Sequence, residues 1–135
     1  MTVLVTDQGF QPDDWTDGFT ALGDVANDVV ALDVPADADP DTLAARLARV
    51  RMVRVDFPSF ADGRGFTIAR TLRLHGYTGR LRAKGHVLAD QYAMARRAGF
   101  DEVEIDAALA ARQPEEQWQA RADWQAHDYQ ARLRG

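Results

Sequence analysis

The stretch Met52–Lys84, MVRVDFPSFADGRGFTIARTLRLHGYTGRLRAK, decides the fold. It opens on a short β-branched run, MVRVDF (Met52–Phe57), and passes through a turn-forming segment. After Gly65 it sets Phe66, Ile68, Ala69 and Leu72 at helical spacing as far as about Leu74. His75-Gly76 stops that helix, and GRLRAK (Gly79–Lys84) reads as a second strand. Strand, helix and strand at this spacing form a βα unit, whose crossover makes the two strands parallel.

Working outward, VVALDV (Val29–Val34) and DEVEI (Asp101–Ile105) extend the same alternation. Between the first two strands, Asp39 is placed to cap a helix with Pro40 at its first position, burying Leu43, Leu47 and Val50. A third helix is expected from about Val87 to Ala98, burying Leu88, Tyr92 and Ala95 and ending at Gly99. The expectation is therefore a single α/β domain, 1–135, with a mainly parallel sheet of four or five strands built from consecutive βα units. That sheet is either open or bent like half a barrel. Residues 29–112 form its core. Residues 1–28 read as an irregular cap: VLV (Val3–Val5) as an edge strand, and QGFQPDDWTDGFTALGD, rich in turn formers and aromatics, as cover for one sheet edge. Beyond Pro114, residues 113–135 read as one long helix with Trp118, Ala122, Tyr129 and Leu133 on one face. Trp124 falls off that stripe, either as a partner contact or docked into its own core.

The chain has 135 residues, 46% hydrophobic and 27% charged, an ordinary globular composition at a size that needs no disulfide or metal to hold a core. The absence of cysteine excludes thiol nucleophiles, disulfides, Cys-ligated zinc and protein-ligated iron–sulfur clusters. The start MTVLVTDQGF lacks the basic and apolar regions of a signal peptide, and no run approaches the ~20 apolar residues of a membrane span. A cytoplasmic protein with no membrane partner is expected.

Charge is segregated along the chain. Residues 1–62 carry a net −8, residues 63–99 a net +7 and residues 100–135 a net −4. The basic block suits an anion, whether a small oxyanion, a nucleotide phosphate or an acidic protein face; the plainer alternative is a solvated basic surface. Nucleic acid is not expected, because the pI is near 5.1 and no aromatic-interleaved basic stripe appears.

Ligands of parallel sheets bind outside the carboxyl ends of the strands, which here present Asp33, Asp56, Asp62, Arg64, Lys84, His86, Glu104 and Asp106. The two richest loops, FPSFADGRGF (Phe57–Phe66) and AKGHVLADQ (Ala83–Gln91), each open a helix whose free N–H groups attract anions. The ligand and anion candidates are accordingly Asp62, Arg64, Arg82, Lys84, His86, Asp90 and Gln91. Arg82 and Lys84 alternate along one strand and share a side; buried there, they need carboxylate partners or a ligand, with Asp56 or Asp62 as the internal choice. His86 is placed as a general acid or base or as an ordinary hydrogen-bonding residue. Gly63-Arg64-Gly65 with Ala69 has the spacing G-x-G-x-x-x-A, which is not a dinucleotide fingerprint. Its plain reading is that the two glycines supply unusual backbone angles while Asp62 caps the helix. Asp90 and Gln91 lie in the first turn of the third helix, where Asp favours the dipole and Gln turns inward to cap. No pair of histidines has metal-ligand spacing, and Ser59, the only serine, sits in no nucleophile elbow. No catalytic residue is assigned and no motif implies a cofactor.

The run from Phe60 to Phe100 resembles the bacterial domain-of-unknown-function 934 family. The shared pattern is an aromatic before D-G-R, a hydroxyl and an Ala in the helix, L-R, a glycine-bounded turn, L-R-A-x-G, V-L-x-D-Q and G-F-D. It falls here on Phe60, Asp62, Gly63, Arg64, Thr67, Ala69, Leu72, Arg73, Gly76, Gly79, Leu81, Arg82, Ala83, Gly85, Val87, Leu88, Asp90, Gln91, Gly99, Phe100 and Asp101. Thr67 keeps the hydroxyl where serine is usual. Arg80 stands where an acid is expected and His86 where Asp is common, so no family role is carried to those two. The resemblance implies a setting beside assimilatory sulfite reductase, under the label of a predicted oxidoreductase. Two functions are then expected. One is an accessory protein docking on sulfite reductase or its electron donor through the basic segment. The alternative is a small enzyme or carrier that binds an oxyanion or phosphorylated ligand at the strand ends, with Arg64, Arg82 and Lys84 as clamps. A sheet with open edges also leaves room for a homodimer.

Overall fold

In the computed structural model, which describes residues 2–22 and 29–124, seven strands form one mixed sheet. They are β1 (Thr2–Thr6), β2 (Gly9–Gln11), β3 (Thr20–Ala21), β4 (Ala31–Val34), β5 (Met52–Phe57), β6 (Arg80–Gly85) and β7 (Glu102–Asp106), in the order β2-β1-β7-β6-β5-β4-β3. The run from β3 to β7 is parallel, and β1 joins β7 antiparallel before pairing with β2. Seven strands replace the four or five expected, because the N-terminal residues contribute three short ones. Val3–Val5 is not at an edge either: it lies between β2 and β7, and the edges are the brief β2 and β3.

The helices are α1 (Pro40–Ala44), α2 (Arg64–Leu74), α3 (Tyr92–Ala98), α4 (Ala107–Arg112) and α5 (Glu115–Gln119). Because β4 to β7 are neighbours in chain order, right-handed crossovers put α1, α2 and α3 on one face. Alternation sends Val53, Val55, Phe57, Leu81, Ala83, Val103 and Ile105 to that face, where they pack with Phe66, Ile68, Ala69, Leu72, Tyr92 and Phe100. The Phe57 ring meets Phe66 edge-on at 5.0 Å and Phe100 at 5.7 Å.

Local chemistry sets the helix ends. Asp39 caps α1 by accepting from the Asp41 N–H at 3.2 Å, with Pro40 next. That helix closes after five residues, yet Leu47 and Val50 still reach the core through two tight turns (Arg46 N–H to Leu43 O, Val50 N–H to Leu47 O). Neither Gly63 nor Gly65 has a positive φ; Gly65 is needed because a Cβ there would overlap the Phe57 ring. The third helix begins as a 3-10 turn (Ala89–Gln91), and Leu88 is only half-buried.

The C-terminal segment is not one long helix over its described part. Helix α5 ends at Gln119, and the chain turns until Trp124. Trp118 is buried edge-on against Tyr92, and Trp124 docks on its own chain over Arg96, at 4.9 Å. Tyr129 and Leu133 lie outside the described residues, as does the 23–28 part of the N-terminal cap.

Candidate functional site

The face of the sheet away from α1–α3 is ionic. Arg54, Asp56, Arg80, Arg82, Lys84, Glu102 and Glu104 alternate with the core residues of β5, β6 and β7 and so point away from α1–α3. Register aligns Asp33, Arg54, Arg82 and Glu102 in one row and Asp56, Lys84 and Glu104 in the next. Residues 12–19, which connect the two opposite edges β2 and β3, cross this face and add Asp13, Asp14 and Phe19.

Arg82 is 0% exposed. Its Nε donates to Glu102 at 2.6 Å, its Nη1 to Glu104 at 2.9 Å, and Nη1 and Nη2 to the two oxygens of Asp13 at 3.0 Å each. Arg80 donates to Glu102 at 2.6 Å and to Asp14 at 2.6 Å. Arg54 forks onto Asp33 at 2.5 and 2.7 Å and reaches Glu104 at 3.1 Å, with the Phe19 ring 3.7 Å from its guanidinium. No buried side-chain polar atom among the described residues lacks a partner. Burial pushes the Asp13 carboxyl up, but the bonds from Arg82 and from the Trp15 N–H outweigh it and hold it below its ordinary range. Asp14 is held low chiefly by the Arg80 hydrogen bond.

The internal partners of Arg82 are thus Asp13, Glu102 and Glu104, with Asp14 at 4.0 Å, and neither Asp56 nor Asp62. Arg64 and Arg82 do not share a site. Arg64 begins α2 on the helical side, forks onto Asp62 at 2.7 Å and faces a separate depression with Pro40 and Thr67. Much of the basic block is likewise consumed internally: Arg73 caps the carbonyls of Tyr77, Gly79 and Gly99 and pairs with Asp101, and Arg96 pairs with Asp7. Asp62 receives the Arg64 N–H at 3.1 Å. Gln91 accepts from the Leu88 N–H at 2.9 Å and donates to Phe60 O at 3.3 Å. Asp90 pairs with Arg121, and the His86 ring lies 3.1 Å from Phe57 O and edge-on to Phe60. These are capping and packing contacts.

Lys84 differs. Of the four cations that β5 and β6 direct to the ionic face, it alone has no carboxylate within 4.0 Å among the described residues. It stands at the carboxyl ends of the parallel strands, where two clefts meet. One, of about 670 Å³, is walled by Leu22, Val34 and Pro35 with Asp33, Arg46, Arg54 and Asp56. The other, of about 380 Å³, is lined by Phe60, His86, Glu104, Leu109 and Arg112. Lys84 borders both. After it, Gly85 adopts φ +117°, and a Cβ there would stand 2.7 Å from Phe57 O, so the chain can make this bend only as glycine.

Arg46, Arg54 and Glu102 were missed from sequence. A signal existed: GRLRAK and DEVEI place cations and acids at the same two-residue period on consecutive strands, the pattern of a cross-strand ion ladder. Among the described residues no group of three or more His, Asp or Glu is arranged to hold a metal, and no helix is long and apolar enough to cross a membrane.

No curated protein and no solved structure matches the chain. Residues 29–135 match the family described as bacterial protein of unknown function (DUF934), a span that holds β4–β7, α1–α5 and every predicted site residue. The chain belongs to that family.

Proposed function

We propose that the protein serves assimilatory sulfite reduction as a small binding protein, holding an oxyanion or phosphorylated ligand at the carboxyl ends of β4, β5 and β6. One observation carries this reading: of the four cations that β5 and β6 direct to the ionic face, Lys84 alone has no carboxylate within 4.0 Å among the described residues, and it borders both clefts. Open parallel sheets bind ligands at that edge. Arg46 is the second cation at the rim of the larger cleft, and the apolar wall of Leu22, Val34 and Pro35 suits an organic body attached to the anion. The sulfite-reduction setting rests on the resemblance to the family, and sulfite is the simplest anion to try. In a thermal-shift series with sulfite, sulfate, phosphate, nicotinamide and flavin nucleotides, a true ligand at 100 times its dissociation constant raises stability by about 2.7 kcal/mol. The shift is expected in wild type and lost in Lys84→Ala. Equal shifts in both proteins reject the site.

A second reading, docking on sulfite reductase or its electron donor, draws on the outer side of the helices. Leu74 is 80% and Met94 50% exposed, and Arg70 and Arg97, on the same two helices, have no carboxylate partner among the described residues. Arg82 takes no part in this reading, since it is wholly buried. Salt-sensitive capture of sulfite reductase, lost in Arg70→Glu/Arg97→Glu, is its test.

A further inference from the structure

The ionic face divides into two parts. Within the sheet itself, Arg54, Arg80 and Arg82 are balanced by Asp33, Glu102 and Glu104, three cations against three anions. Residues 12–19 then add two further carboxylates, Asp13 and Asp14, to a network that is already neutral. They bind as an external anion would. Asp13 takes the outer fork of Arg82 with both oxygens at 3.0 Å, and Asp14 takes the fork of Arg80 at 2.6 and 3.4 Å while lying 4.0 Å from Arg82. Two guanidinium forks side by side, one of them fully buried, offer about four N–H donors to one small area.

We infer that the Arg80–Arg82 pair is an oxyanion site, distinct from the Lys84 cleft, which the carboxylates of residues 12–19 fill as internal ligands. Its chemistry suits a compact dianion such as sulfate or phosphate, whose oxygens replace those of Asp13 and Asp14 and leave the three-against-three balance beneath untouched. The covering segment is tethered at β2 and β3, so its carboxylates act at a high effective concentration and a free anion competes poorly while they stay in place. Displacement has a consequence for the cleft. Phe19 covers Arg54, and the residues that follow it, Ala21 and Leu22, wall the larger cleft, so an anion that lifts residues 12–19 also uncovers Arg54.

The test is the Asp13→Asn/Asp14→Asn variant, titrated with sulfate against chloride at matched ionic strength. The inference predicts saturable sulfate binding at least tenfold tighter than wild type, reduced to the wild-type level by adding Arg80→Gln and retained in the Lys84→Ala background. A variant that melts cooperatively but binds sulfate no better than wild type overturns it. Binding that disappears with Lys84→Ala also overturns it, by moving the anion to the cleft. If the double variant does not fold, hydrogen exchange in wild type decides: sulfate, and not chloride, is expected to speed exchange of the Trp15 N–H, which is tied to Asp13. Equal exchange in the two salts refutes the displacement.

Discussion

The two faces of the sheet are made by the same strands and are held by opposite means. The helical face of β5 to β7 is Val53, Val55, Phe57, Leu81, Ala83, Val103 and Ile105, closed by α2 and α3. The other face is Arg54, Arg80, Arg82, Glu102 and Glu104, closed by residues 12–19. The first gains from apolar area removed from water, which is non-directional and tolerant. The second has desolvated its charges, and in such a network each member matters because the others are left stranded without it. A dense run of arginines in a sequence is therefore not a surface charge: a strand can turn them inward onto acids from the next strand and from the far end of the chain.

The largest effects test this contrast directly. Arg82→Ala is expected to cost about 3–5 kcal/mol by leaving Asp13 without its cation and removing the charge shared by Glu102 and Glu104, which keep only Arg80 and Arg54, as much as Phe57→Ala costs by opening a core cavity. Urea unfolding of both variants checks it, and a mild Arg82→Ala breaks the comparison. The faces separate when Asp13, Arg82, Glu102 and Glu104 are replaced together by apolar residues of similar size: Arg80 keeps Asp14 and Arg54 keeps Asp33, so no charge is stranded and the change is neutral to stabilising by about 1–4 kcal/mol.

Gly85→Ala comes next. A side chain at φ +117° against Phe57 O strains the bend beyond Lys84, with an expected loss of about 1–3 kcal/mol and a displaced Lys84. A loss of ligand shift exceeding the loss of stability marks the bend as part of the site.

Acid reaches both faces, since Asp7, bonded to Tyr92 and Arg96 of α3, is also held below its ordinary range, but on the ionic face it removes the carboxylates that close it. The folded pKa values of Asp13 and Asp14 lie below the ordinary 3.8. Their contribution is therefore present above that value and is lost as the pH falls through the lower, folded values. Release of residues 12–19 below about pH 4 is expected before the helical core melts, seen as a Trp15 fluorescence change that precedes loss of far-ultraviolet circular dichroism. Coincident transitions join the two faces into one cooperative unit. The smallest effect belongs to Arg64→Ala, an exposed pair with Asp62 that leaves the melting temperature unchanged.

The apolar face was legible in the sequence because its signals are local. Periods of two and 3.6 sufficed to place β5 from Met52 to Phe57, and the stop signals at His75-Gly76 and Gly99 fall where α2 and α3 end. The ionic face was not, because Arg82 finds Asp13 69 residues away and Glu102 20 residues away. Charge counted along the chain divided these partners among three segments and so suggested an open basic surface. Lys84 was legible as a strand-end cation, while its lack of a partner became visible only once the neighbouring arginines had found theirs. The N-terminal strands were read poorly because β2 and β3 have three and two residues, too short to show a period.

The most direct measurement is a sulfite titration of uniformly ¹⁵N-labelled protein at constant ionic strength, followed by amide shifts. The account predicts that amides around Val34, Lys84–His86 and Glu104–Asp106 move, with Arg64 and its helix unmoved, and that the shifts of this cleft are lost in Lys84→Ala. Shifts confined to Arg70, Leu74, Met94 and Arg97, or cleft shifts that persist in Lys84→Ala, contradict it.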